Sequence, residues 1–265
     1  MKKRLTVLVA CLVAIIGLAA CSSNSKSEEP KYADDTAMET VQKGFEARAE
    51  LIDQMEQAGK DTETTKAYKK CVAAELDVDK PLKDSKFKSS KMQQDVLAYI
   101  NSLEGQKEVL ENSSMSSDNF WTDWNKAYNT RCEALKTLVD KYDLKVSDKY
   151  KDDFDDLVNN GKAVAKKNEA DEQLNNLFSG ITFDKQGDGY DNTYWTYSAI
   201  VENTTSNTYS NVTLTLALYD ADGVRQGETY ASINTWAAGE KVRVEATSEI
   251  DATTVKVEPT YYDVK

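Results

Sequence analysis

The chain has no histidine among its 265 residues. That absence removes Ser-His-Asp and Cys-His catalysis, histidine-ligated zinc and histidine general bases together. Carboxylate, lysine, tyrosine, Ser-Lys and carboxylate-metal chemistry stay open. Proline is scarce, three in all, and Pro81 is the single one between residues 34 and 178, so little interrupts a helical pattern there. Basic charge is in deficit as well: 33 Lys and Arg face 45 Asp and Glu, a net charge of −12. A broad basic surface for nucleic acid or an anionic bilayer is therefore excluded. Cationic partners and divalent ions suit this balance, as does a simply solvated acidic surface. Long hydrophobic runs are missing too: the apolar stretch at residues 5–20 is shorter than the roughly 20 residues a membrane-spanning helix needs.

What is present at the start is an address. Lys2, Lys3 and Arg4 precede that apolar stretch, the layout of a secretory signal. It ends in Leu18-Ala19-Ala20-Cys21, which resembles the lipobox of bacterial lipoproteins. The resemblance implies a diacylglycerol (palmitate-type chains) on the Cys21 thiol, cleavage of residues 1–20, and Cys21 as the mature N-terminus. Small side chains admit the peptide to a protease at the membrane surface, and two acyl chains anchor stably where one does not. The alternative is an ordinary signal peptide in which Cys21 falls by accident. Removing three basic and no acidic residues from −12 leaves a mature charge of −15. Residues 21–31, polar and ending near Pro30, read as a flexible tether.

Of four cysteines, Cys11 lies in the discarded segment and Cys21 carries lipid, leaving Cys71 and Cys132. Outside the cytoplasm that pair permits one disulfide, worth roughly 4 kcal/mol by loop closure. Two separate buried thiols are the alternative reading.

Residues 32–179 read as an antiparallel bundle of four or five helices. Thr36-Ala37-Met38-Glu39 fits a capping box, and Val41, Phe45, Ala49, Ile52 and Met55 follow at helical spacing up to a stop at Gly59. Asp61 or Thr62 starts a second helix with Tyr68, Cys71, Val72 and Leu76. A third runs from near Ser89 to the Asn112-Ser113-Ser114 stretch. A fourth opens at Ser117 or Asp118 with a stripe of Trp121, Trp124, Tyr128, Leu135, Leu138 and Tyr142. Ser147 caps a fifth that carries Phe154, Leu157 and Val158 and closes at Gly180.

From residue 180 the period changes to two. Trp195, Tyr197, Ala199 and Val201 alternate with Thr196, Ser198 and Ile200; Val212, Leu214, Leu216 and Leu218 with Thr213, Thr215 and Ala217; Val242, Val244 and Ala246 with Arg243 and Glu245; and Val255 and Val257 with Lys256. Six or seven short strands over residues 180–265 predict an antiparallel sandwich. Leu216-Ala217-Leu218-Tyr219-Asp220, with Ala221-Asp222-Gly223 after it, resembles the signature of the FxLYD domain. Val201-Glu202-Asn203-Thr204 and Ala238-Gly239-Glu240 fall where that family has its strand-end Asn and its Gly-Glu turn; Leu216 stands in for the Phe. The resemblance implies an immunoglobulin-like fold of the kind found at the C-termini of bacterial surface lipoproteins, without shared catalytic residues. Leu216, Leu218, Tyr219, Asp220 and Gly223 are thus structural, with Asp220 and Gly223 making a turn.

Every candidate site has an ordinary counterpart. Asp220 and Asp222, or Asp184, Asp188 and Asp191, suggest a calcium loop but lack the EF-hand spacing and terminal Glu, and read as turns. Asp152, Asp153, Asp155 and Asp156 suit a cation or acid–base pair, yet also suit a helix N-terminus. Phe120, Trp121 and Trp124 could stack sugar rings, but aromatic stripes at this spacing build cores, and Trp195 and Trp236 read likewise. No Ser-Lys pair sits in a supporting motif. The expectation is an α+β chain with separate domains, lipid-anchored on the outer face of a bacterial, Gram-positive-type cytoplasmic membrane. It would act without catalysis, cofactor or metal, binding an envelope protein or cell-wall polymer but not nucleic acid. A carboxylate-dependent glycan hydrolase is the first alternative and solute capture for a transporter the second.

Overall fold

The computed structural model describes residues 31–189 and 193–264; the signal, Cys21, nearly all of the tether and Asp191 lie outside the described residues. The chain is α+β with its helices in the N-terminal region and its strands in the C-terminal region. Among the described residues five α-helices, α1 (Ala37–Gln57), α2 (Thr65–Asp79), α3 (Ser90–Asn112), α4 (Phe120–Tyr142) and α5 (Lys151–Phe178), follow one another with short connections. Each packs on the next, and one apolar cluster runs from Val41 and Phe45 through Ile100 and Leu103 to Leu135 and Phe154. No helix among the described residues is long and apolar enough to cross a membrane.

The helix ends follow local chemistry, with some departures. Gly59 terminates α1 at φ 63°, where Lys60 N–H reaches Met55 O at 2.9 Å, the bonding of a glycine C-cap. Ser89 caps α3 by accepting from Met92 N–H at 3.1 Å. The capping box at Thr36 is not formed: the Thr36 hydroxyl turns back to Ala33 O, and Glu39 pairs with Lys43 at 2.6 Å. Thr64, not Asp61 or Thr62, caps α2 through Ala67 N–H. Ser147 makes no side-chain cap, and a single 3-10 turn, Asp148–Tyr150, precedes α5.

Among the described residues six strands form two three-stranded antiparallel sheets. One has the order β1 (Asp184–Gly187), β2 (Trp195–Glu202), β5 (Lys241–Ser248); the other has β4 (Arg225–Trp236), β3 (Tyr209–Tyr219), β6 (Thr254–Val264). Alternation decides which face is buried. Ala199, Val201, Val244 and Ala246 from the first sheet meet Val212, Leu214, Leu216, Ile233 and Trp236 from the second in one apolar layer.

The helical and β regions share α5. At 28 residues, about 42 Å of helix, it is long enough to serve both. Phe154 and Val158 belong to the bundle core, whereas Ala170, Leu174 and Phe178 belong to the core between the sheets. Tyr262 of β6 donates to Asp171 at 2.6 Å, and Asn207 to Gln173 at 2.8 Å. The last turns of the helix therefore close the β core, well before residue 180.

A candidate binding cleft in the helical bundle

The stripe positions that bury apolar side chains in α2 and α4 also bury charge. Glu75 and Asp79 are fully buried and Arg131 nearly so. Glu75 lies between two guanidiniums: Arg131 donates to Oε1 from Nη2 at 2.7 Å and from Nε at 3.2 Å, and Arg48 Nη1 donates to Oε2 at 3.1 Å. The Tyr99 hydroxyl adds a further bond to Oε1, and Arg48 Nη1 also reaches Gln106 Oε1 at 3.0 Å. Burial pushes the Glu75 carboxyl up, but Arg131, Arg48 and the hydrogen bonds from Arg131 and Tyr99 outweigh it and hold it below the ordinary range. Glu75 is ionised and fixes both arginines.

Asp79, one turn further along α2, is the opposite case. Neither carboxyl oxygen has a hydrogen-bond partner. Burial, with Glu75 nearby, pushes the group up to about 9 against the pull of Arg131, so Asp79 holds its proton at neutral pH. It packs on Gly44 of α1, where an added Cβ would come within 2.5 Å of Oδ2. With Asp79 neutral, Arg48, Arg131 and Glu75 together carry one net positive charge.

That charge borders a cleft of about 380 Å³ between α1, α4 and α5. Phe45, Ala49, Ile52 and Leu157 supply its apolar walls, Arg48, Arg131 and Tyr128 line it, and Asp53, Glu56 and Asp153 supply carboxylates. Phe45 is held from two sides: its ring meets Phe154 edge-on at 5.1 Å, and the Arg131 guanidinium stacks 5.7 Å from its centroid. Arg48 Nε and Nη2 and Arg131 Nη1 have no hydrogen-bond partner among the described residues, so the cleft meets guanidinium donors that are still open. Asp53 is paired with Lys149 at 3.0 Å.

The residues singled out in the sequence are distributed differently. Of the acidic run at the start of α5, Asp153 reaches the cleft, Asp155 pairs with Lys151, and no group of three metal-ligating side chains forms among the described residues. Cys71 and Cys132 are not bridged. Both are free, buried thiols: Cys71 packs with Met55 and Ala67, and the Cys132 carbonyl lies against Gly161 of α5, where a Cβ would come within 2.2 Å. In α4 the buried aromatics are Phe120 and Trp124, while Trp121 is 46% exposed, so the three do not form one flat platform. Trp236 is core, and its indole N–H donates to Glu240 O at 2.9 Å.

The signature residues of the β region have structural positions. Leu216 and Leu218 point into the core, and Tyr219 lies under Lys256 Nζ at 4.8 Å. Asp220 accepts from Asp222 and Val224 N–H, both at 2.9 Å, and Gly223 takes φ 78°. Asn203 is buried and donates to Asn207 O and Trp236 O, while its own backbone carbonyl accepts from Gly239 N–H at 2.7 Å. Asp188 N–H bonds Tyr194 O at 3.1 Å in a strand-end turn, and Asp184 is an exposed β1 residue.

Stripe reading missed Arg48, Glu75, Asp79 and Arg131. The available signal was a charged residue standing at an apolar register position, such as Glu75 and Asp79 continuing Tyr68, Cys71 and Val72. No protein-family model matches the chain, and no curated protein matches it either.

Proposed function

We propose that this chain is a non-catalytic binding protein, tethered through a lipidated Cys21 to the outer face of a bacterial cytoplasmic membrane. Its helical bundle binds the ligand, and the β region, an immunoglobulin-like FxLYD-type sandwich, serves as spacer or second module. The observation that carries the binding reading is the α1–α4–α5 cleft, in which two arginines fixed by buried Glu75 keep open donors beside an apolar wall. An apolar concavity with a few convergent polar groups is the usual form of a ligand site. The β assignment draws on the meeting of Asn203 with the Gly239-Glu240 turn, two separated parts of the signature.

The hydrolase reading has a basis too, since Asp53, Glu56 and Asp153 share the cleft. Glycoside hydrolysis by a carboxylate pair requires one carboxyl that holds a proton beside one that is ionised. Asp79, whose carboxyl burial pushes up to about 9, packs on Gly44 and does not line the cleft, so it is not placed to serve as that acid.

The test uses the full chain in cells with a photo-reactive residue at Ile52. An adduct at that position, lost when Ala49→Trp fills the cleft, is the expected result. No adduct, or the same adducts in the filled variant, overturns the binding reading. Cys21→Ser is expected to release the protein from membranes or leave it unprocessed, and unchanged attachment refutes the anchor.

A further inference from the structure

We propose that the cleft takes a small zwitterion with an apolar body, of the amino-acid or short-peptide type, with its carboxylate on Arg48 and Arg131 and its ammonium toward Glu56 and Asp153. This rests on the cleft being a binding site and adds the class of ligand. Three features of the same cleft select it.

The first is the open donors. Arg48 spends one nitrogen on Glu75 and Gln106, and Arg131 spends two on Glu75, leaving Arg48 Nε and Nη2 and Arg131 Nη1 without partners among the described residues. A carboxylate matches a guanidinium edge through parallel bonds, which a hydroxyl or carbonyl does not. Glu75 is committed to the arginines and cannot move out to satisfy them, because it is fully buried and also bonded to Tyr99.

The second is the sign of the remaining charge. Glu56 and Asp153 line the cleft, are exposed, and have no basic partner among the described residues, while Asp53 shares Lys149 with Glu50. A plain anion approaching a chain with a net charge of −12 and two free carboxylates at the cleft is repelled. A zwitterion avoids this, because its cationic end meets those carboxylates while its anionic end meets the arginines. The third is the wall: Phe45, Ile52 and Leu157 provide apolar contact, and about 380 Å³ suits a ligand of one or two residues.

The experiment titrates the full chain calorimetrically with leucine, leucyl-leucine, leucinamide (no carboxylate) and 4-methylpentanoate (no ammonium). Leucine or leucyl-leucine is expected to bind, and leucinamide about ten- to a hundredfold more weakly, the effect of losing charge-assisted hydrogen bonds. Arg48→Lys keeps the charge but loses the guanidinium edge, and should weaken the zwitterion about tenfold. Because Arg48 contributes to the buried network, a second variant guards against misfolding. Glu56→Gln with Asp153→Asn alters exposed groups alone, and should make leucine and 4-methylpentanoate bind alike. Equal binding of leucine and leucinamide by the parent protein, or an unchanged preference in the double variant, overturns the proposal. If no compound in the panel binds but the Ile52 adduct still forms, the ligand class is wrong and the binding reading stands. If neither occurs, both fall.

Discussion

Inside the helical region, Glu75, Asp79, Ser102, Gln106 and Arg131 are buried, whereas the β region buries only Asn203 and Thr215 among its described polar side chains. The difference follows from how each region satisfies its backbone. A helix bonds its own N–H and C=O groups, so a long charged side chain at a stripe position can reach a partner on another helix without disturbing either. A sheet face is filled by side chains standing at a period of two, and its core positions here are Val, Leu, Ile, Ala, Tyr and Trp. Polar burial in the β region is concentrated at a strand end, where Asn203 ties β2 to the start of the β4–β5 turn. Buried ion pairs rarely stabilise more than an apolar replacement would, so a core that keeps one invites a reason other than stability. In the bundle the buried charges stand next to a cleft, and in the β region the buried Asn203 stands at a corner of the fold.

The comparison can be broken most sharply at Glu75. Glu75→Ala leaves buried Arg131 and half-buried Arg48 without a counter-ion, and is expected to destabilise the protein by about 3–5 kcal/mol in urea unfolding. A loss below 1 kcal/mol would mean that the arginines find water or another partner, and that the bundle core is not built around the carboxylate. The corresponding change in the β region is smaller. Asn203→Ala removes donors from Asn207 O at 2.8 Å and Trp236 O at 3.1 Å and an acceptor from Thr205, for about 2–3 kcal/mol. Equal losses at the two sites would erase the distinction between a charged core and a polar corner.

Asp79 makes the same contrast depend on pH. Its carboxyl is raised to about 9 from an ordinary value of 3.8, with Glu75 and Arg131 its charged neighbours. Between those values the unfolded chain has released a proton that the folded chain keeps. The contribution of Asp79 is therefore fully favourable below about 4, and stability falls as pH rises toward about 9. Asp79→Asn removes this slope. The variant should match its parent near pH 4 and exceed it increasingly as pH rises, at about 1.4 kcal/mol per pH unit and so by about 5 kcal/mol at pH 8, read from thermal unfolding across that range. A parent and variant with parallel profiles would show that Asp79 is ionised inside the fold and paired in some other way.

Legibility in the sequence divides along the same line. The β region was open to reading because its core is apolar and its turns use Asp, Asn and Gly: Leu216 and Leu218 face inward, and Asp220 and Gly223 make a turn. The short, exposed β1 escaped because Asp184–Gly187 has no apolar alternation. In the bundle, helix existence followed from the stripes, but register did not always: Phe120 rather than Trp121 is core, since either aromatic fits a step of three or four. The site was hidden by the assumption that stripes are apolar. Arg131 lies between Trp124 and Leu135 on the buried face of α4, and Glu75 beside Leu76 on that of α2, so hydropathy passed over both. The continuity of α5 to Phe178 was legible, but its second role, closing the β core, was not. The period changes near residue 180, but the β core begins with Ala170, still in helix.

The smallest expected effect tests whether turn chemistry in the β region is local. Asp220 accepts from two backbone N–H groups and from Gln226 Nε2 at 2.5 Å, all within six residues, and the turn is half-exposed. Asp220→Ala should therefore cost only about 1 kcal/mol, because water can take over the freed N–H groups. Gly223 at φ 78° still permits the turn, so the β3–β4 register from Leu218 to Tyr209 should hold, with unchanged amide exchange protection at Leu214 and Leu216. A loss of protection there would mean that the turn sets the pairing of the two strands rather than merely joining them. The β region would then depend on a single side chain as the bundle depends on Glu75.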